Sequence, residues 1–157
     1  MQNKKTKELT LLAILTALSV TFGFVAKIPT PTGLLTLVDA GIYFTAFYLG
    51  KKEGAIVGGL SAFLIDLLSS APQWMFISLL IHGAQGYFAG FKGNYRILGL
   101  LIATIVMVGG YALASVFVYG TGASIAEVIP NFCQNALGLV VGWVLYQGFK
   151  KVQSKKG

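Results

Sequence analysis

Between Leu9 and Ala26 eighteen residues pass without a charge, and three lysines, Lys4, Lys5 and Lys7, stand just before them. A helix rises about 1.5 Å per residue, so this stretch reaches across most of a hydrocarbon core of roughly 30 Å. A chain that opens this way has few places to fold except a bilayer. The remainder agrees. Only 11% of the residues are charged and the mean hydropathy is +0.75, where a soluble domain carries about 25% charge. The run is longer than the core of a signal peptide and no A-x-A site ends it, so it is expected to remain in the protein. The loop that follows, Lys27-Ile28-Pro29-Thr30-Pro31-Thr32-Gly33, holds two prolines and is denied a helix.

Six spans can be read along the chain: Leu9–Ala26, Leu37–Leu49, Gly54–Leu68, Trp74–Phe91, Ile97–Tyr119 and Ile125–Phe149. The second and third are short and glycine-rich. The expected fold class is an all-α integral membrane protein, a six-helix transmembrane bundle forming one domain over residues 1–157. Six crossings put both termini on one side. The same side then receives Lys4, Lys5, Lys7, Lys51, Lys52, Lys92, Arg96, Lys150, Lys151, Lys155 and Lys156, and only Lys27 falls opposite. Cations gather on the cytoplasmic side, so both termini are expected there. This distribution also explains the net charge of +7 without nucleic acid, because no groove-like basic patch forms.

Orientation gives each polar residue a depth. Glu127, Asn131, Gln134 and Asn135 fall at i, i+4, i+7 and i+8, one face of the sixth span in its outer half. Trp74, Ser78 and His82 follow the same spacing in the fourth span, with Gln85 deeper, where it can serve to join helices. Tyr111, Ser115 and Tyr119 share a face near the outer end of the fifth. Asp66 ends the third span, Asp39 stands at the mouth of the second and Tyr43 lies a turn below it. Polar groups in hydrocarbon cost several kcal/mol unless partnered. One alternative use for them is helix–helix bonding, and Trp74 alone would suit an interfacial belt. A channel or proton relay would need them through the whole thickness. Their concentration in the outer half predicts a pocket open to the outside and closed below, with Pro29-Thr30-Pro31 able to lie across it. Amides supply paired donors and acceptors, and Tyr and Trp supply flat faces. That suits a small, flat heteroaromatic ligand with hydroxyls. A phosphorylated ligand fits poorly, since Lys27 is the one cation outside.

Several functions are excluded. No G-x-x-x-x-G-K-[ST], H-E-x-x-H or G-x-S-x-G occurs, so no nucleotide hydrolysis and no enzyme activity is expected. One cysteine, Cys133, and one histidine leave no multi-ligand metal site, and no cofactor is expected. Uphill transport would require an energising partner. A stand-alone secondary carrier or small channel is the alternative.

Ala13 and Ala17, four apart, place two small side chains on one face of the first span, where another helix can approach closely. With the long loop after that span, and with the hairpin from Leu37-Val38-Asp39-Ala40 to Phe63-Leu64-Ile65-Asp66 built around Gly50-Lys51-Lys52-Glu53-Gly54, the whole chain resembles the substrate-binding S component of energy-coupling factor (ECF) vitamin transporters. It looks most similar to members proposed for hydroxymethylpyrimidine or pyridoxine. The resemblance implies high-affinity capture of a vitamin or precursor from outside a bacterial cytoplasmic membrane. It implies association with a transmembrane coupling protein (T component) and two cytoplasmic ATPases, docking through Ala13 and Ala17. It also implies delivery inward by toppling of the subunit within the lipid.

Overall fold

A computed structural model describes residues 3–30 and 34–155. Pro31, Thr32 and Gly33 of the proline loop, and Lys156 among the cations, lie outside the described residues. Among the described residues six α-helices form: α1 Lys4–Val25, α2 Val38–Tyr48, α3 Lys51–Leu68, α4 Met75–Ala89, α5 Arg96–Tyr119 and α6 Thr121–Ser154. Three stretches, Lys4–Val25, Gly93–Tyr119 and Thr121–Ser154, are long and apolar enough to cross a membrane, and Met75–Ala89 is a shorter apolar helix.

The elements differ from the sequence reading at their ends, for local reasons. α1 begins five residues early, because Asn3 caps it by accepting from the Lys5 amide and the lysines form its first turns. Lys51-Lys52-Glu53 is the first turn of α3 and not a loop. The reversal is made by Gly50, whose φ of 129° is open to glycine and strained for other residues. α6 continues through Pro130, beyond both expected ends. The described residues after α1 form a short antiparallel ribbon, β1 Lys27–Pro29 paired with β2 Leu34–Thr36 in the register Ile28 to Leu35.

Contacts fix the helix directions. Gly54, Gly58 and Gly59 of α3 face Gly86, His82 and Leu79 of α4 in reversed order, so the two are antiparallel. Gly138 and Gly142 of α6 meet Asp39 and Tyr43 of α2 in the same order, so these run parallel. Ser78 meets Tyr111 and Trp74 meets Tyr119, which sets α4 against α5. One end of the bundle therefore carries the start of α1, the α2–α3 and α4–α5 turns and the end of α6. The ribbon and the α3–α4 and α5–α6 links share the other end.

The α3–α4 seam depends on glycine. A Cβ at Gly86 would collide with the Gly54 carbonyl, and one at Gly58 with the His82 carbonyl. Backbone touches backbone along this line, the close approach that small residues permit in lipid. Elsewhere hydroxyls return to their own helix: Ser19 to Leu15 O and Thr45 to Gly41 O, both at 2.8 Å.

Polarity is arranged from the inside outward. Phe117 is 82% exposed and Ile125 77%, while Asp39 and Gln85 are at 0%. Large apolar side chains on the outside and polar groups gathered within suit hydrocarbon as solvent, because polar groups cost least where they can find partners inside the protein. The apolar core is a cluster of Tyr43, Ala46, Phe47, Ala89 and Ala103, with a second of Val38, Ile42 and Ile65.

Candidate functional site

A cavity opens toward the ribbon end, with an empty volume of about 500 Å³ counting its mouth. β2 contributes Leu34 and Thr36, the start of α2 Val38, and α3 Ala62, Ile65 and Asp66. Ala71 and Trp74 come from the α3–α4 link, and Ser78 and His82 from α4. Tyr111 belongs to α5, and Glu127, Asn131 and Gln134 to α6. Among the described residues none that lines the cavity is lysine or arginine. Its lining has the character of a small-molecule site, an apolar frame with a few convergent polar groups.

The helical spacings explain the convergence. Trp74, Ser78 and His82 are each four apart, so one face of α4 presents all three. Tyr111 donates to Ser78 Oγ at 2.5 Å, and its ring centroid lies 5.7 Å from those of both Trp74 and His82. Together they make an aromatic wall. On α6, Asn131 Nδ2 donates to Glu127 Oε2 at 2.8 Å and to the Glu127 carbonyl at 2.9 Å. Gln134 Oε1 accepts from the Thr36 amide at 2.7 Å, tying the ribbon to α6 across 98 residues. Asp66 is buried, and its Oδ2 has no hydrogen-bond partner. An unpartnered buried carboxyl oxygen on a cavity wall calls for a donor from a ligand.

Four of the residues expected to bind substrate stand elsewhere. Asp39, Tyr43, Ser115 and Asn135 do not line the cavity. Asp39 lies deeper than the mouth expected for it, fully buried, because Gly138 lets α6 close over it. Tyr43 donates to Asn135 Oδ1 at 2.6 Å, Gln85 Nε2 reaches the same oxygen at 2.9 Å, and Asn135 Nδ2 donates to Thr104 at 2.9 Å. This network joins α2, α4, α5 and α6 below the cavity, and Gln85 joins helices as its depth suggested. Ser115 is buried with an unpartnered hydroxyl. His82 links wall and floor, with Nδ1 at 2.8 Å from Gln85 Oε1 and 3.1 Å from Asp39 Oδ1. The geometry favours the amide for the directed hydrogen bond.

Sequence reasoning missed Leu34, Thr36, Val38, Ala62, Ile65 and Ala71. The apolar members carry no signal that separates them from core. Thr36 has none either, since its role comes from pairing with a residue far along the chain. Ala13 and Ala17 both lie on the exposed side of α1, away from α2 and α3.

Comparison with known proteins agrees with this architecture. A family model described as "ECF-type riboflavin transporter, S component" matches residues 3–151. A curated relative, the thiamine precursor transporter HmpT of Lactococcus lactis subsp. cremoris, is 47% identical over 148 residues, covering 92% of this chain and 89% of its own. An uncharacterised protein of Pyrococcus woesei is 33% identical over 130 residues, covering 79% of this chain and 87% of its own. Among solved structures, the S component of a bacterial ECF transporter superposes with a TM-score of 0.74 at 23% identity, covering 96% of this chain and 99% of that one. At that identity the likeness speaks for the fold.

Proposed function

Because the chain belongs to the family of ECF-type transporter S components, membrane transport subunits and not enzymes, we propose that it captures a thiamine precursor of the hydroxymethylpyrimidine class. Capture takes place from the outer face of a bacterial cytoplasmic membrane. The ligand then passes inward with a transmembrane coupling protein and two ATPases. The chain is one domain of six spans with both termini cytoplasmic. In support of that orientation, Lys4, Lys51, Lys92 and Lys150 share one end of the bundle, and the cavity opens at the other.

The observation that carries the ligand class is the cavity wall. Trp74 and Tyr111 offer faces for a flat ring. Asp66, Glu127 and Asn131 offer acceptors for amino and hydroxyl groups. The absence of Lys and Arg from the lining disfavours a phosphate. The family model carries riboflavin in its description, but the relative at 47% identity over nearly the whole chain weighs more for ligand class.

Mass spectrometry of small molecules released by denaturing the detergent-purified chain, expressed alone, tests the reading. A stoichiometric pyrimidine precursor supports it. A protein that stays empty after incubation with hydroxymethylpyrimidine, yet drives uptake into liposomes without partners, overturns it in favour of a stand-alone carrier.

A further inference from the structure

His82 is the chain's only histidine. It lines the cavity while its Nδ1 is turned away, toward Gln85 Oε1 and Asp39 Oδ1. Both of those atoms are acceptors by chemistry and neither can donate when the carboxyl is ionised, so Nδ1 carries the proton, and Nε2 is the nitrogen left to face the cavity. Asp39 is at 0% exposure, and neither of its oxygens has a directed hydrogen bond. Ionised in that position, it needs a positive partner. Among the described residues the groups around His82 offer no cation: they are Asp39 from α2, Asp66 from α3, Gln85 from α4 itself and Tyr111 from α5, with Glu127 of α6 elsewhere on the cavity wall.

We propose that Asp39 and His82 form a buried charge pair, and that the imidazolium Nε2–H is the fixed donor of the ligand cavity. Asp39 is then a positioning residue that never touches ligand. It holds the ring charged and aimed, with Gln85 fixing the rotation. This inference rests on the ligand-binding reading above and makes it more specific. The cavity is polarised: a cationic donor stands on its floor, and carboxyl and amide acceptors stand on α3 and α6. A ligand that matches must present an acceptor, a ring nitrogen or a hydroxyl oxygen, at one edge and donors at the other. An aminopyrimidine carries both. An aromatic of the same size without a ring nitrogen or hydroxyl acceptor satisfies one side only.

A sole histidine makes the test direct. Protein carrying isotopically labelled histidine, in lipid nanodiscs at neutral pH, gives the two ring-nitrogen resonances of His82 alone. A free imidazole, with a pKa of about 6.5, is mostly neutral there. The expected ligand-free spectrum has both nitrogens protonated. Hydroxymethylpyrimidine then shifts Nε2 and leaves Nδ1 nearly unmoved. Asp39→Asn returns the ring to its neutral form and weakens binding roughly 10- to 100-fold, the range for a hydrogen bond to a charged group. His82→Gln weakens it to a similar extent. A neutral ring in the ligand-free wild type overturns the charge pair, and this arm needs no variant to fold. Unchanged affinity in folded Asp39→Asn overturns the positioning role. If hydroxymethylpyrimidine does not bind the wild type at all, the ligand reading fails, while the ligand-free spectrum still decides the charge pair.

Discussion

Replacing Asp66 with asparagine is the most informative single change. The shape is kept, one carboxyl oxygen becomes an amide nitrogen, and an acceptor becomes a donor. Oδ2 of Asp66 is buried on the cavity wall and has no partner. The oxygen that asparagine keeps can still accept from Ser78, so the ligand-free protein should nearly keep its melting temperature. A ligand amino or hydroxyl group aimed at this oxygen would instead meet another donor. Losing a hydrogen bond of that kind costs about 1.5–3 kcal/mol. The dissociation constant rises roughly 10- to 100-fold, at about 1.4 kcal/mol per decade. Thermal shift makes this visible. Hydroxymethylpyrimidine at 100 times the wild-type dissociation constant stabilises the folded state by about 2.7 kcal/mol. If the variant binds 100-fold more weakly, the same concentration gives only about 0.4 kcal/mol. The wild type should therefore gain several degrees with ligand and the variant almost none. Tight binding retained in Asp66→Asn would refute the argument that the orphan oxygen awaits the ligand. A large drop in the ligand-free melting temperature would make Asp66 a structural residue instead.

Other outcomes follow from the same geometry. Gln134→Ala leaves the buried Thr36 amide without its acceptor; it should speed ligand release more than it slows capture, as stopped-flow Trp fluorescence would show, and an unchanged release rate would mean that the ribbon is held some other way. Gly86→Ala should destabilise the detergent-solubilised protein by about 1–3 kcal/mol, because the new methyl meets the Gly54 backbone. Gly148→Ala, with open space around it, should be neutral or slightly stabilising, and equal effects at the two positions would refute the seam. Ala13→Trp, on the exposed face of α1, should leave ligand affinity within about twofold and abolish uptake by the assembled transporter; normal uptake would remove Ala13 from the docking surface.

The helices were legible because their periodicity and their flanking charges are local properties. The wall of α4 and the stripe on α6 could be read the same way, since i, i+4 spacing fixes a face whatever lies opposite. Depth was less legible. Asp39 reads as a residue at a mouth, because a span boundary in sequence resembles a membrane surface; in the fold Gly138 admits it beneath α6. Thr36 and Thr104 were invisible for another reason. Each matters through one bond to a residue 98 or 31 positions away, and no window along the chain contains both partners. Ala62 and Ile65 line the cavity with ordinary core chemistry, which composition cannot tell from packing.

The glycine seam between α3 and α4 also bears on how a subunit like this could acquire a new ligand. Gly58 lies against the His82 carbonyl and Gly86 against that of Gly54, so the two helices form a single plate carrying Asp66, Ser78 and His82 in fixed relation. At those glycines the alphabet available to drift has one letter. Trp74, Tyr111, Asn131 and Gln134 are held by side-chain contacts and can be exchanged one at a time without parting the plate. Divergence of substrate choice therefore has an inexpensive route through α5, α6 and the α3–α4 link, and almost none through the seam.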